Sequence, residues 1–154
     1  VALHTASHNY KTVYSSVDNY FKDLNKVSDR VYRLTGVRSK VIRFPGGSSN
    51  TISRNYSPGI MSTLTQDVLN KGYRYYDWNV SSGDAEGGNP SSSKIYNNVV
   101  NNLRRDRINM VLMHDIKTCT RDALRDIIRY CKNNGYSFDK ITMGTTMVRQ
   151  RVNN

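Results

Sequence analysis

The sequence predicts an α/β fold built around a parallel sheet. Strand-like apolar stretches alternate with stretches of helical spacing along most of the 154 residues. Three of the four expected helices end in a glycine that leads directly into a strand, at Gly36, Gly72 and Gly135. A third observation concerns chemistry: each unusual polar cluster falls just past the C-terminal end of an expected strand. In parallel α/β folds those ends share one face, and that face carries the active site. Barrel and open doubly wound sheet both satisfy the pattern. No glycine-rich dinucleotide fingerprint runs from a strand into a helix; Pro45-Gly46-Gly47 lacks the spacing.

In chain order, Val1-Ala2-Leu3 is apolar and strand-like. A polar turn over residues 9–16 precedes a helix with Ser15 as N-cap and Asp18 three residues on. Val17, Tyr20, Phe21, Leu24, Val27, Val31 and Leu34 give that helix one apolar face. Residues 40–43 read as a short buried strand, followed by a loop at 44–50. Ser57-Pro58 opens a second helix with proline in the first position and Ile60, Met61, Leu64, Val68 and Leu69 inward. Residues 73–80 read as a strand and 81–93 as a long loop. A third helix covers 92–105 and residues 108–113 form the most apolar strand. Thr120 caps a fourth helix with Ala123, Leu124, Ile127, Ile128 and Cys131 inward, and residues 137–142 form a last strand. The division expected is one domain over residues 1–143 and a loose polar tail over 144–154.

Lys and Arg number 23 against 12 Asp and Glu, a net charge of +11. An anionic partner or anionic surroundings suit that balance. The basic residues are dispersed, and no ribonucleoprotein, zinc-knuckle or helix-turn-helix signature accompanies them, so nucleic acid is not the expected partner. A diffuse positive surface also fits work among the anionic polymers of a cell wall. No apolar run is long enough to span a membrane, and nothing reads as a signal peptide. Cys119 and Cys131 are expected on one helix about 18 Å apart, beyond disulfide reach.

The three histidines are the most informative residues. His4 and His8 are four apart, able to offer two imidazoles to one metal ion if the backbone turns in a helix-like way. His114 ends the apolar run Val111-Leu112-Met113 and is followed by Asp115.

His4-Thr5-Ala6-Ser7-His8 resembles the zinc-binding motif of the NodB-type polysaccharide deacetylases, carbohydrate esterase family 4. Arg43-Phe44-Pro45-Gly46-Gly47 resembles the family's Arg-x-Pro motif and Leu112-Met113-His114-Asp115 its Leu-x-His-Asp motif. Tyr76-Asp77-Trp78-Asn79-Val80 and Gly135-Tyr136-Ser137-Phe138 are similar to its strands, in the same order. The resemblance implies a distorted (β/α) barrel and removal of N-acetyl groups from N-acetylglucosamine units of peptidoglycan or chitin-like glycans, at the cell envelope or outside the cell. It implies His4 and His8 as ligands of zinc, or of another divalent metal such as cobalt. His114 is implied as general acid, Arg43 as the group orienting a carboxylate base, and the Gly46 N–H as an oxyanion donor. Leu112, plain core when considered alone, would line the acetyl-methyl pocket. Trp78 lies on an expected strand, where core is the simpler reading, and is retained as a substrate-binding candidate.

Two departures matter. The family's Thr-Phe-Asp-Asp motif, source of the base and of a third metal ligand, has no counterpart here. The expectation is therefore a barrel lacking its first strand, completed by a missing N-terminal segment or a second chain. The position that normally tethers the catalytic histidine reads Ser81, in Ser81-Ser82-Gly83-Asp84-Ala85. Asp84 is the favoured replacement and Asp77 the other. A catalytically inactive glycan-binding relative is the alternative function, and a basic nucleic-acid-binding domain a weaker one.

Overall fold

The computed structural model describes residues 1–153. It divides into two compact units, Val1–Asp77 with the segment beginning at Ile141, and Trp78–Lys140.

In the first unit, β1 (Val41–Ile42) pairs in parallel with β2 (Arg74–Tyr75), in register Val41 with Arg74 and Ile42 with Tyr75. Leu3 adds a parallel bridge on the other side of Ile42. Its N–H donates to the Val41 carbonyl at 2.9 Å and its carbonyl accepts from Arg43 N–H at 3.0 Å. The expected parallel arrangement is therefore present, in very short strands. α1 (Tyr10–Val13) occupies part of the stretch expected as a turn. α2 (Val17–Thr35) is capped by Ser16, whose hydroxyl accepts from Asn19 N–H, one residue after the expected Ser15. Ser15 instead donates to the Thr12 carbonyl. Gly36 ends the helix at φ 71°, a left-handed conformation that costs glycine little.

Tyr20 and Leu24 of α2 are fully buried against Leu3, Phe44 and α3 (Ile60–Asn70), which contributes Met61, Leu64 and Val68. Each such aliphatic side chain contributes about 1.5–3 kcal/mol by leaving water. Leu34, expected inward, is 76% exposed in the last turn of α2. α3 starts two residues after Pro58, because a 3₁₀ turn at Ser53–Asn55 and a left-handed Gly59 come first.

In the second unit, β3 (Val80–Ser81) and β4 (Val111–Leu112) pair in parallel. α4 (Ser92–Val100) is capped by the Ser91 hydroxyl, and α5 (Thr118–Asn133) packs against it. Val80, Ile95, Val99, Ala123, Ile127 and Cys131 form this core. Leu124, expected inward, is 42% exposed. Thr120 lies inside α5 and not at its cap. Cys119 and Cys131 are both free. Among the described residues no helix is long and apolar enough to cross a membrane.

Two expected strands and the loose tail need correction. Residues 73–80 are not one strand, because Asp77 interrupts them. Asp77 is 2% exposed, and its carboxylate accepts from Ser48 N–H, the Ser48 hydroxyl and Gln150 N–H. Its own N–H donates to the Val148 carbonyl. Those bonds replace a strand ladder at that point. They also tie down the tail, whose Val152 packs against the first core. Residues 137–142 form no strand; Phe138 and Ile141 are exposed.

Candidate functional site

Each unit carries one cluster of the expected site residues. In the first unit, His4 follows the Leu3 bridge, and the chain from Thr5 to Asn9 is a loop and not the helical turn anticipated for a four-residue histidine spacing. Thr5 and His8 both have positive φ, 60° and 52°, which is unfavourable for side chains with a Cβ. The loop is held by Asp23, a 3%-exposed residue of α2 whose Oδ1 accepts from Ala6 N–H at 2.7 Å and Ser7 N–H at 3.0 Å. The two imidazole centroids are 5.0 Å apart, with planes at 65°. Two imidazoles on one tetrahedral zinc, at about 2.1 Å per Zn–N bond, place their centroids about 5 Å apart. His4 Nδ1 lies 2.8 Å from the Arg43 carbonyl, so it carries the proton and leaves Nε2 with the lone pair. The Arg43 guanidinium lies 3.5 Å from that Nε2, a long contact.

Gly46 belongs to the same unit. Tyr14, fully buried, donates its hydroxyl to the Pro45 carbonyl at 2.7 Å. Carbonyl and N–H point opposite ways across a trans peptide. Pinning Pro45 O inward therefore turns the Gly46 N–H outward, where it has no partner among the described residues. Gly46 has φ 74°, and a Cβ there would collide with the Tyr10 hydroxyl.

In the second unit the cluster is His114 and Asp84. Asp84 Oδ1 accepts from His114 Nδ1 at 2.8 Å, and Oδ2 accepts from the His114 backbone N–H at 2.6 Å and the Thr120 hydroxyl at 2.7 Å. The Asp84 side chain is 2% exposed and the His114 ring 32%. This arrangement fixes the tautomer with Nδ1–H toward the carboxylate and Nε2 free. Burial pushes the Asp84 carboxyl up, but the hydrogen bonds from Thr120 and His114 outweigh it and hold the group below the usual aspartate range. A depressed carboxylate stabilises the fold above its unfolded pKa of about 3.9, and that contribution is lost as pH falls through the folded value. The urea midpoint of the wild type is expected to exceed that of Asp84→Asn at pH 5, with the gap closing below about pH 4. A gap that persists unchanged at pH 3 would contradict the ionised pair.

Ser81, which the resemblance puts at the tether position, accepts from Gly83 N–H and donates to Glu86 Oε1. Asp77, the other candidate, is bound to Ser48 and Gln150. Leu112 is half-buried and absent from the second core, onto which its neighbours Val111 and Met113 pack. By strand alternation it faces the opposite side of the sheet. Trp78 is half-buried.

Among the described residues no group of three His, Cys, Asp or Glu side chains could hold a metal ion. His4 and His8 fit such a site as two of its donors. Three supporting residues were missed in the sequence. Asp23 carried a signal, since it falls three residues after Tyr20 on the apolar face of α2. Thr120 reads as a cap from its local sequence, and Tyr14 carries no local signal.

No protein-family profile matches the chain. A crystal structure of the catalytic domain of a peptidoglycan N-acetylglucosamine deacetylase from Eubacterium rectale is 43% identical, with a TM-score of 0.97, over 100% of this chain and 70% of that one. The chain belongs to the NodB-type polysaccharide deacetylases of carbohydrate esterase family 4. A peptidoglycan-N-acetylglucosamine deacetylase of Bacillus cereus is 25% identical over 90% of this chain and 49% of its own length. The chain spans about half the length of the curated relatives of this esterase family that it matches. A family pseudoenzyme from Bacillus anthracis shares the fold, at 22% identity and a TM-score of 0.64, over 86% of this chain and 41% of that one.

Proposed function

We propose that this chain forms part of a metal-dependent deacetylase that hydrolyses the N-acetyl group of N-acetylglucosamine units in peptidoglycan or chitin-like glycans, at the cell envelope or outside the cell. The observation that carries the reading is the His114–Asp84 pair, beside the 43% identity to a deacetylase catalytic domain. Deacetylation breaks the amide C–N bond, adds water oxygen to the acetyl carbon and must deliver a proton to the departing nitrogen. His114 Nε2 is the donor of that proton, and Asp84 stabilises the charged ring and fixes its tautomer. The Gly46 N–H is a donor for the developing oxyanion. Leu112 contacts the acetyl methyl and Trp78 the sugar.

His4 and His8 would hold the divalent ion, zinc or another such as cobalt. When bound, the ion would polarise the carbonyl and acidify water. Arg43 places a cation beside His4, so holding a further cation there calls for carboxylate in the same place. Among the described residues no third His, Cys, Asp or Glu side chain joins His4 and His8 in a group that could hold a metal ion. The proposed site therefore draws its remaining ligand and its base from a further segment or a second chain, which also completes the distorted barrel.

The test is acetate release from N-acetylglucosamine oligomers by the protein with that further segment or second chain present, with metal content measured alongside. Release that stops on chelation and returns with zinc supports the reading. Oligomer binding with no release under any metal refutes it in favour of the inactive glycan-binding relative, a reading that the absence of a third ligand among the described residues keeps in view.

A further inference from the structure

The positive charge is unevenly placed. The first unit carries 13 Lys and Arg against 5 Asp and Glu, a net of +8, while the second carries 10 against 7. Two of the five acids, Asp23 and Asp77, are buried and occupied by backbone N–H groups. On α2, Lys22, Lys26 and Arg33 fall within about 40° of arc at 100° per residue, with Arg30 beside them. All four are exposed, and none forms an ion pair among the described residues. The stripe runs about 16 Å along the helix.

At the C-terminal end of α2, Lys26, Asp29, Tyr32, Arg33 and Arg38 line an open hollow. Asp29 is paired with Arg38 at 2.7 Å, so its charge is already compensated. α5 shows the contrasting arrangement: Arg121, Arg125 and Arg129 are each paired with Asp122 or Asp126. Exposed cations left unmatched over such a length suit a partner with several spaced anionic groups. Single-stranded nucleic acid calls for stacking faces as well as charge. The one ring at the hollow, Tyr32, is covered by the Arg38 guanidinium at 4.4 Å.

We propose that this face of α2 binds the carboxylate groups of an acidic glycan strand, holding the polymer by groups that are not deacetylated. The choice of a glycan rests on the deacetylase reading; the polyanion site itself does not.

The test measures binding of the 154-residue chain to a soluble polymer alternating N-acetylglucosamine with a uronic acid, to its carboxyl-reduced derivative, and to duplex DNA of equal charge. Expected are binding to the acidic polymer that weakens about tenfold or more between 50 and 200 mM salt, and affinity at least tenfold lower for the reduced polymer. Combined Lys22→Gln, Lys26→Gln and Arg33→Gln should lose about tenfold without shifting the melting midpoint. If that variant melts early, Lys26→Gln alone, with a loss of about twofold or more, takes its place. Equal binding of acidic and reduced polymers, unchanged affinity of the substituted protein, or tighter binding to DNA would each overturn the proposal. With the further segment or second chain present, the variant should release acetate from neutral N-acetylglucosamine oligomers at the wild-type rate. A wild type that binds the acidic polymer but releases no acetate even when the further segment or second chain is present defeats the deacetylase reading and leaves the polyanion site standing.

Discussion

His114→Ala, in the protein that includes the further segment or second chain, is expected to lower acetate release by about 10²–10⁴-fold while leaving metal content unchanged. The ring nitrogen that faces away from Asp84 is the one able to give a proton to the departing amine, and alanine leaves no donor there. The contrast with metal content matters because His114 belongs to the second unit, whereas His4 and His8 belong to the first. Asp84→Asn makes a sharper comparison. An asparagine can present its amide N–H to Nδ1 and favour the opposite tautomer, so a loss of about 10²-fold or more is expected with His114 still present. That substitution should also move the pH dependence of turnover, which a purely structural role for Asp84 would not do. Retained turnover in His114→Ala would remove the histidine from the reaction.

The second large effect is expected at the metal. Loss of an outer-shell partner commonly costs 10–100-fold in affinity, and loss of a ligand costs more. His4→Ala and His8→Ala should each weaken zinc binding by at least about 10²-fold, read by equilibrium dialysis and independently of any reaction. Asp23→Ala, which unties Ala6 and Ser7 from α2, is expected to cost about tenfold. The strained backbone at Thr5 and His8 is the reason a distant carboxylate matters: without those two bonds the loop can relax to ordinary dihedrals and separate the rings. Zinc affinity unchanged by either histidine substitution would rule out the pair as ligands.

The helices were legible because their signals are local. Gly36 ends α2 as expected, and the three- and four-residue steps from Val17 to Val31 mark its buried side. The candidate site residues were legible through motif order, and the same motif favours Asp84, the residue that His114 contacts, over Asp77. What stayed hidden depends on partners remote in sequence. Asp77 breaks an apparently continuous strand because Ser48 and Gln150 reach it from 29 and 73 residues away. Thr120 looks like a cap until Asp84, 36 residues earlier, claims its hydroxyl. The apolar pattern around Phe138 and Ile141 resembled a strand, yet neither residue is buried. Alternation records a local rhythm and cannot report whether a neighbour is there to pair with it.

The bond from Tyr14 to Pro45 has a wider implication. The Gly46 amide lies at the surface, but its bearing is governed by a phenol in the interior that no ligand can touch. A single oxygen atom removed from Tyr14 would leave the outer contour of the protein intact and free one peptide plane to rock. The aim of a surface hydrogen-bond donor is thus inherited from the packing beneath it, and can be retuned from inside.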